Sequence, residues 1–120
     1  MEKVLGIGGV FFRSQDPGGL AEWYLQHLGV ALVPQDASSA PWMTEAGVTV
    51  FSPFPADTDY FRDDRQFMIN FRVADLDAMT AQLAAAGIAV GDQVEMEGIG
   101  AFAHMHDPEG NPIELWQPAG

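Results

Sequence analysis

Residues 106–116 read His-Asp-Pro-Glu-Gly-Asn-Pro-Ile-Glu-Leu-Trp, and this stretch decides the fold. Its centre, Asp-Pro-Glu-Gly-Asn at 107–111, has the composition of a tight turn. Pro108 presets φ at the second turn position, and Gly110 can adopt the left-handed conformation that the fourth position requires. Because apolar residues alternate with polar ones on both sides, the pattern predicts a β-hairpin.

Upstream of this hairpin, the sequence predicts a strand followed by a helix. Residues 67–73 form an apolar run, Asp75 is a good N-cap, and Gly87 ends a stretch with helical spacing. Two shorter runs, 88–90 and 94–96, are weaker strand candidates. The second half therefore has the order strand, helix, strands.

The first half of the chain repeats this order. A strand is predicted at 4–13, a helix begins after Asp16 and ends at Gly29, and further strands are predicted at 30–33, 42–44 and 48–51. A unit of about 60 residues buries too little surface to be stable alone, so the two halves are expected to pack together. The sequence predicts an α+β fold with two βαβββ modules, about 1–56 and about 57–120, in one domain covering 1–120.

The composition excludes several classes of partner. The chain has 5 Lys and Arg against 17 Asp and Glu, a formal net charge of −12, which disfavours nucleic acid and anionic membrane surfaces. No apolar stretch reaches the roughly 20 residues that a membrane helix needs. Since the chain has no cysteine, we expect no disulfides and a cytoplasmic location.

An acidic loop, Phe54–Arg65 (FPADTDYFRDDR), joins the two predicted modules. It is polar and poor in helix formers. Two interpretations stay open at this point: a lid that covers a pocket, or a solvated linker.

The chain resembles the vicinal-oxygen-chelate superfamily, which includes glyoxalase I, extradiol dioxygenases, fosfomycin-resistance proteins and bleomycin-resistance proteins. The resemblance covers essentially the whole chain, and the segment 106–116 is its most specific part. It implies two paired modules around a shared small-molecule pocket. The matching residues are Gly6–Phe12 with Asp16, Ala21–Tyr24, Leu28-Gly29, Asn70–Val73 with Asp75–Asp77, and His106–Trp116.

In metal-dependent members of this superfamily, four ligands hold one divalent ion, and they are usually His or Glu. The corresponding positions here are Gly9, Thr49, Met68 and Glu114. Only Glu114 is a normal ligand for a hard or borderline cation, because glycine has no side chain and a thioether prefers soft metals. We therefore expect no cofactor and no metal at the usual site.

His104 and His106 offer an alternative metal site together with Glu114, which would imply a metal-dependent lyase, isomerase or dioxygenase. Two histidines at i and i+2 of a strand point to the same face. The predicted hairpin register, however, sets Met105 opposite Glu114, so that both histidines face away from it. This register disfavours the alternative.

Alternation along the predicted strands places bulky apolar side chains and a few polar ones on the inward face. This is the composition of a small-molecule pocket, although a closed core with Arg72 and Glu114 paired is the competing interpretation. Glu114 is the candidate general acid or base. The candidate ligand-binding residues are Phe11, Thr49, Phe51, Met68, Asn70, Arg72, Met105, Glu114 and Trp116.

The leading functional hypothesis is metal-independent binding of a small organic molecule, aromatic or cationic, between the modules. Enzymatic turnover is an open alternative. Because relatives in the superfamily pair modules within one chain or across two chains, a homodimer is also open.

Overall fold

The computed structural model describes residues 1–120 and contains two helices and four strands. The strands form one mixed sheet in the order β1-β4-β3-β2, in which β1 is parallel to β4 and the other pairs are antiparallel. This confirms the α+β class. In chain order the elements are α1 (Pro17–Leu28), β1 (Ile69–Arg72), α2 (Leu76–Ala85), β2 (Val94–Met96), β3 (Gly100–His106) and β4 (Pro112–Pro118).

Both helices begin at the predicted caps. The Asp16 carboxylate accepts a hydrogen bond from the Gly19 N–H at 3.1 Å, and the Asp75 carboxylate accepts one from the Ala78 N–H at 3.0 Å. Each bond satisfies a backbone donor that has no partner inside the helix. Helix α1 ends at Gly29, whose φ of 72° is the left-handed conformation that glycine adopts without strain.

The hairpin that the sequence predicted joins β3 to β4. The Gly110 N–H donates to the Asp107 carbonyl at 2.9 Å, and Gly110 has a φ of 82°. The turn therefore has the conformation for which its Pro and Gly are suited.

The hydrophobic core lies on one face of the sheet, between the sheet and the two helices. Ile113 and Leu115 of β4 are completely buried there, and so is Leu83 of α2. Ile113 and Leu115 are on the same face of β4 because alternate side chains of a strand point to opposite sides. The buried cluster consists of Leu20, Tyr24, Leu76, Leu83, Ala103, Met105, Ile113 and Leu115.

Residues 1–16 and 29–68 contain no strand. The strands predicted at 4–13, 30–33, 42–44 and 48–51 are therefore wrong for the isolated chain, and 88–90 is not a strand either. No backbone–backbone hydrogen bond involves residues 1–15 or 40–54, because no neighbouring strand lies beside them. Large apolar side chains in these segments are exposed, including Leu5 at 100%, Phe11 at 95% and Phe51 at 85%. Two complete βαβββ modules are not seen in one chain.

The hairpin turn holds α1 in place. The Tyr24 hydroxyl donates to the Asp107 carboxylate at 2.7 Å, and burial raises the pKa of Tyr24 above its ordinary value. The Glu109 carboxylate accepts hydrogen bonds from the Ser14 hydroxyl at 2.6 Å and from the Gln15 N–H at 2.9 Å. The turn and the start of α1 are thus joined although they lie more than 80 residues apart.

The Glu109 contacts make part of the stability depend on pH. The Ser14 hydroxyl and the Gln15 N–H hold the pKa of Glu109 below its ordinary value of 4.5. Because the folded state favours the ionised carboxylate, its contribution is present above pH 4.5 and is lost as the pH falls through the lower folded-state pKa.

We expect Glu109→Gln to lower the free energy of unfolding at pH 7 and to leave it unchanged well below the folded-state pKa. Urea denaturation as a function of pH measures this difference. Glu97→Gln, at an exposed position, is the matched control and should follow the unmodified protein at every pH. If the free energy of unfolding of Glu109→Gln and of the unmodified protein changed with pH in parallel, the lowered pKa of Glu109 in the folded state would be contradicted.

Candidate functional site

The sheet face opposite the core carries a row of three polar side chains. The register aligns Asn70 of β1 with Glu114 of β4 and aligns Glu114 with His104 of β3. Since directly paired residues on neighbouring strands point to the same face, the three side chains meet. This row is the centre of the candidate site.

Glu114 is a buried carboxylate, 6% exposed, with both oxygens engaged. Its Oε1 accepts a hydrogen bond from the Asn70 Nδ2 at 2.8 Å. Its Oε2 lies 2.7 Å from the His104 Nε2 and accepts a second hydrogen bond from the Tyr60 hydroxyl. Three side chains from β1, β3 and the acidic loop thus converge on one carboxylate.

Tyr60 is the site residue that the sequence analysis did not single out. Its ring lies edge-on to the His104 imidazole with 4.9 Å between the ring centroids. Burial and the hydrogen bond to the Glu114 carboxylate raise the pKa of Tyr60 to about 12, so its hydroxyl is a protonated donor at neutral pH. The sequence feature that could have indicated Tyr60 is the aromatic pair Tyr60-Phe61 inside an otherwise acidic loop.

Two arginines of the acidic loop hold it against the hairpin turn. The Arg65 guanidinium donates to the Glu109 carbonyl at 2.9 Å, and the Arg62 guanidinium donates to the Gly110 carbonyl at 3.0 Å. Arg62 also pairs with Asp64, and this contact lowers the pKa of Asp64. The loop is therefore held against the hairpin turn at the end of the sheet.

A cavity of about 740 Å³ lies between the acidic loop and the sheet. This volume is within the range of small-molecule sites. We call it the Glu114 cavity because two of its lining residues, Tyr60 and His104, contact Glu114, which is not itself part of the lining. Its lining comprises residues 56–63 of the acidic loop, Met68, His104 to His106, Pro112 and Ile113.

The predicted hairpin register was wrong by one residue. His104 pairs with Glu114 and Met105 pairs with Ile113, because the five-residue turn sets His106 opposite Pro112. A shift of one residue moves every side chain of a strand to the other face. His104 and His106 therefore share the face of Glu114, whereas the Met105 side chain, a predicted ligand contact, lies in the helix-side core.

Other predicted site residues are on the Glu114 face but outside the Glu114 cavity. Arg72 does not pair with Glu114, since its guanidinium donates to the Glu45 carbonyl at 2.8 Å. The Trp116 indole N–H donates to the Ile99 carbonyl at 3.0 Å, and its ring is parallel to that of Phe102 at 5.8 Å. The interpretation of a closed core with an Arg72–Glu114 pair is therefore wrong for this chain.

The predicted residues of the first half, Phe11, Thr49 and Phe51, are exposed and are not brought to Glu114. Among the predicted ligand contacts, Met68 and Met105 border the Glu114 cavity. Glu114 does not line it but contacts the lining residues Tyr60 and His104, and Asn70 contacts Glu114. The site formed by one chain is thus built by its second half and the acidic loop.

The residues at the four metal positions of the superfamily do not fit a metal centre of the usual kind. Gly9 and Thr49 lie in exposed segments of the first half, and Met68 supplies a thioether. No group of three or more His, Asp or Glu side chains converges in a way that could hold a metal ion. His104 and Glu114 alone form a pair of candidate ligands.

A family model described as the glyoxalase-like domain matches residues 9–116. The chain belongs to this family. The glyoxalase-like domain is part of the vicinal-oxygen-chelate superfamily, so the resemblance noted in the sequence is confirmed. A comparison with curated proteins gives no match.

Solved structures similar to this glyoxalase-like protein include antibiotic-related proteins. TnmS3, an antibiotic binding protein from Streptomyces sp. CB03234, is 27% identical over 88% of each chain, with a TM-score of 0.57. A glyoxalase/bleomycin resistance protein from Streptomyces sp. CB03234 is 34% identical, with a TM-score of 0.40. The alignment covers 43% of this chain and 46% of that protein. A bleomycin-binding protein complexed with bleomycin is 24% identical over 46% of this chain and 53% of its own, with a TM-score of 0.41.

Neither helix of this glyoxalase-like protein has the length and apolar character that crossing a membrane requires.

Proposed function

We propose that this glyoxalase-like protein binds a small organic molecule, aromatic or cationic, in the Glu114 cavity, and that it does so without the metal of the superfamily. The observation that carries the proposal is a cavity of about 740 Å³ whose lining residues Tyr60 and His104 both contact the buried carboxylate of Glu114. Small-molecule sites combine apolar and aromatic walls with a few polar groups that orient the ligand. Here His104, which contacts Glu114, is such a polar group, while Tyr60, Phe61 and Met68 supply apolar surface.

The likeness to TnmS3 supports this proposal. That protein is an antibiotic binding protein, and the alignment covers most of both chains. Fold alone does not determine function, so the argument depends on the cavity and its side chains.

Glu114→Gln tests the proposal, since it preserves the shape of the side chain and removes its charge. We expect at least one compound of a panel of aromatic amines, amidines and neutral polycyclic aromatics to raise the melting temperature of the unmodified protein in the presence of EDTA. Its affinity should fall about tenfold or more in Glu114→Gln, because a charge-assisted hydrogen bond is lost.

Glu22→Gln, on the exposed side of α1, is the matched control and should bind like the unmodified protein. A panel without stabilising compounds would indicate instead a small interaction module without a ligand. Unchanged affinity in Glu114→Gln would mean that the ligand binds elsewhere.

A second candidate function is that of a metal-dependent lyase, isomerase or dioxygenase that uses Glu114 with His104 or His106. The observation that favours it is the 2.7 Å contact between His104 and Glu114, which the predicted register had excluded. Metal content of protein purified without a chelator or a His-tag separates the two candidates. Near-stoichiometric metal that is lost in Glu114→Gln would establish this second function and overturn metal-free binding.

We also propose that the protein is a homodimer in which the first halves of two chains complete each other's sheets. The support comes from residues 1–15 and 40–54, which form no backbone–backbone hydrogen bonds and expose large apolar side chains. Extended segments of this kind pair readily with another strand. A second copy of the chain carries the same unpaired segments, so a symmetric pair satisfies both.

A further inference from the structure

Glu114 carries a buried charge that no Lys or Arg of the chain contacts. Its hydrogen-bond donors are the Asn70 amide and the Tyr60 hydroxyl, and its only possible ion-pair partner is His104 at 2.7 Å. A buried carboxylate is ordinarily stabilised by a full cationic partner. Behind the lining residues Tyr60 and His104 of the Glu114 cavity there is therefore a carboxylate that has no Lys or Arg partner.

The Tyr60 hydroxyl is the donor on Glu114 that can be replaced most easily. Asn70 is fixed on β1 and His104 on β3, whereas Tyr60 is 41% exposed and belongs to a loop. Both Tyr60 and His104 bind the same carboxylate oxygen, Oε2, and both of these residues line the cavity. Rotation of Tyr60 would expose this oxygen to the cavity without disturbing the sheet.

The charges around the cavity favour a cation over an anion. Asp57, Asp59 and Asp63 of the acidic loop all line it. The one arginine in the lining, Arg62, is engaged by Asp64 and by the Gly110 carbonyl. A cavity lined by charges of one sign raises the local concentration of ligands of the opposite sign.

We propose that the ligand carries a cationic N–H group, an amidinium or ammonium next to an aromatic ring, and that this group replaces the Tyr60 hydroxyl on Glu114 Oε2. Tyr60 then selects the ligand by the strength of its hydrogen bond to Glu114. Only a group that donates to Oε2 more strongly than a phenol hydroxyl can replace Tyr60. This inference rests on the proposed binding function and adds to it the chemical class of the ligand and the residue that selects it.

Three small probes of matched shape but different charge test the inference: benzamidine, benzamide and benzoate. Isothermal titration calorimetry at pH 7 gives each affinity for the unmodified protein, Tyr60→Phe and Glu114→Gln. We expect benzamidine to bind at least tenfold more tightly than benzamide, and benzoate to bind weakest. Glu114→Gln should remove the preference for benzamidine, while Glu22→Gln should retain it.

Tyr60→Phe is the decisive variant, because it keeps the ring and removes the hydroxyl that competes with the ligand. We expect it to bind benzamidine about tenfold more tightly than the unmodified protein, since no charge-assisted hydrogen bond has to be broken first. The affinity for benzamide should change less than twofold. Thr80→Ala, which removes a hydroxyl of α2 outside the cavity, is the control and should leave the benzamidine affinity unchanged.

Two results would overturn the inference. One is a weaker or unchanged benzamidine affinity in Tyr60→Phe, which would mean that the hydroxyl assists the ligand or does not meet it. The other is equal affinity of the unmodified protein for all three probes, or no benzamidine binding at all. In either case the panel experiment with Glu114→Gln still decides whether the cavity binds a ligand, so the two proposals fail separately.

Discussion

Asp107→Ala is expected to lower the free energy of unfolding by about 3 to 5 kcal/mol, which would be a large part of the stability of a domain of this size. Asp107 is 5% exposed and accepts four hydrogen bonds. Its Oδ1 accepts from the backbone N–H groups of Glu109 and Asn111, and its Oδ2 accepts from the Tyr24 hydroxyl and the Asn111 amide. Removing the carboxylate leaves several of these donors buried without a partner.

Urea denaturation measured by circular dichroism checks this value. Asp92→Ala is the matched control, because Asp92 is exposed and makes no side-chain hydrogen bond, and it should change stability by less than about 0.5 kcal/mol. A loss below about 1 kcal/mol for Asp107→Ala would show that water replaces the carboxylate in the turn.

Phe51→Asp is expected to weaken dimerisation by roughly 100-fold or more, because burying an unpaired charge in an apolar interface costs several kcal/mol. Phe51 is 85% exposed in the single chain, where the same substitution would have almost no effect. The variant therefore distinguishes a dimer interface from a free surface.

Sedimentation velocity over a range of concentrations measures this effect. The unmodified protein should sediment with twice the mass of one chain, and Phe51→Asp with the mass of one chain. Gln26→Asp, which adds the same charge to the exposed side of α1, should remain a dimer. A monomeric unmodified protein at all concentrations would refute the proposed homodimer.

Local signals predicted the parts of the fold that local chemistry controls. Asp16 and Asp75 cap the two helices as expected, and the turn at 107–111 closes the predicted hairpin. In each case the residues that determine the conformation are within a few positions of one another in the sequence. Predictions of this kind depend on side chains and backbone groups that are close in the sequence, so their contacts do not require the rest of the fold.

The predictions that were wrong concern features that depend on contacts between residues far apart in the sequence. The hairpin register was off by one residue, and this error hid the contact of His104 with Glu114. Tyr60 reaches Glu114 across 54 positions, and no local pattern reports such a contact. The first-half strands have suitable alternation, but a strand forms only where a second strand is adjacent.

The hairpin turn also has a consequence for cooperativity. Through Asp107 and Glu109 it holds α1, and through the carbonyls of Glu109 and Gly110 it holds the arginines of the acidic loop. Helix α1 and the acidic loop thus both depend on the same five-residue turn. If the turn opens, α1 loses its anchor and Tyr60 loses its position over Glu114 together, so helix, cavity and binding site form one folding unit.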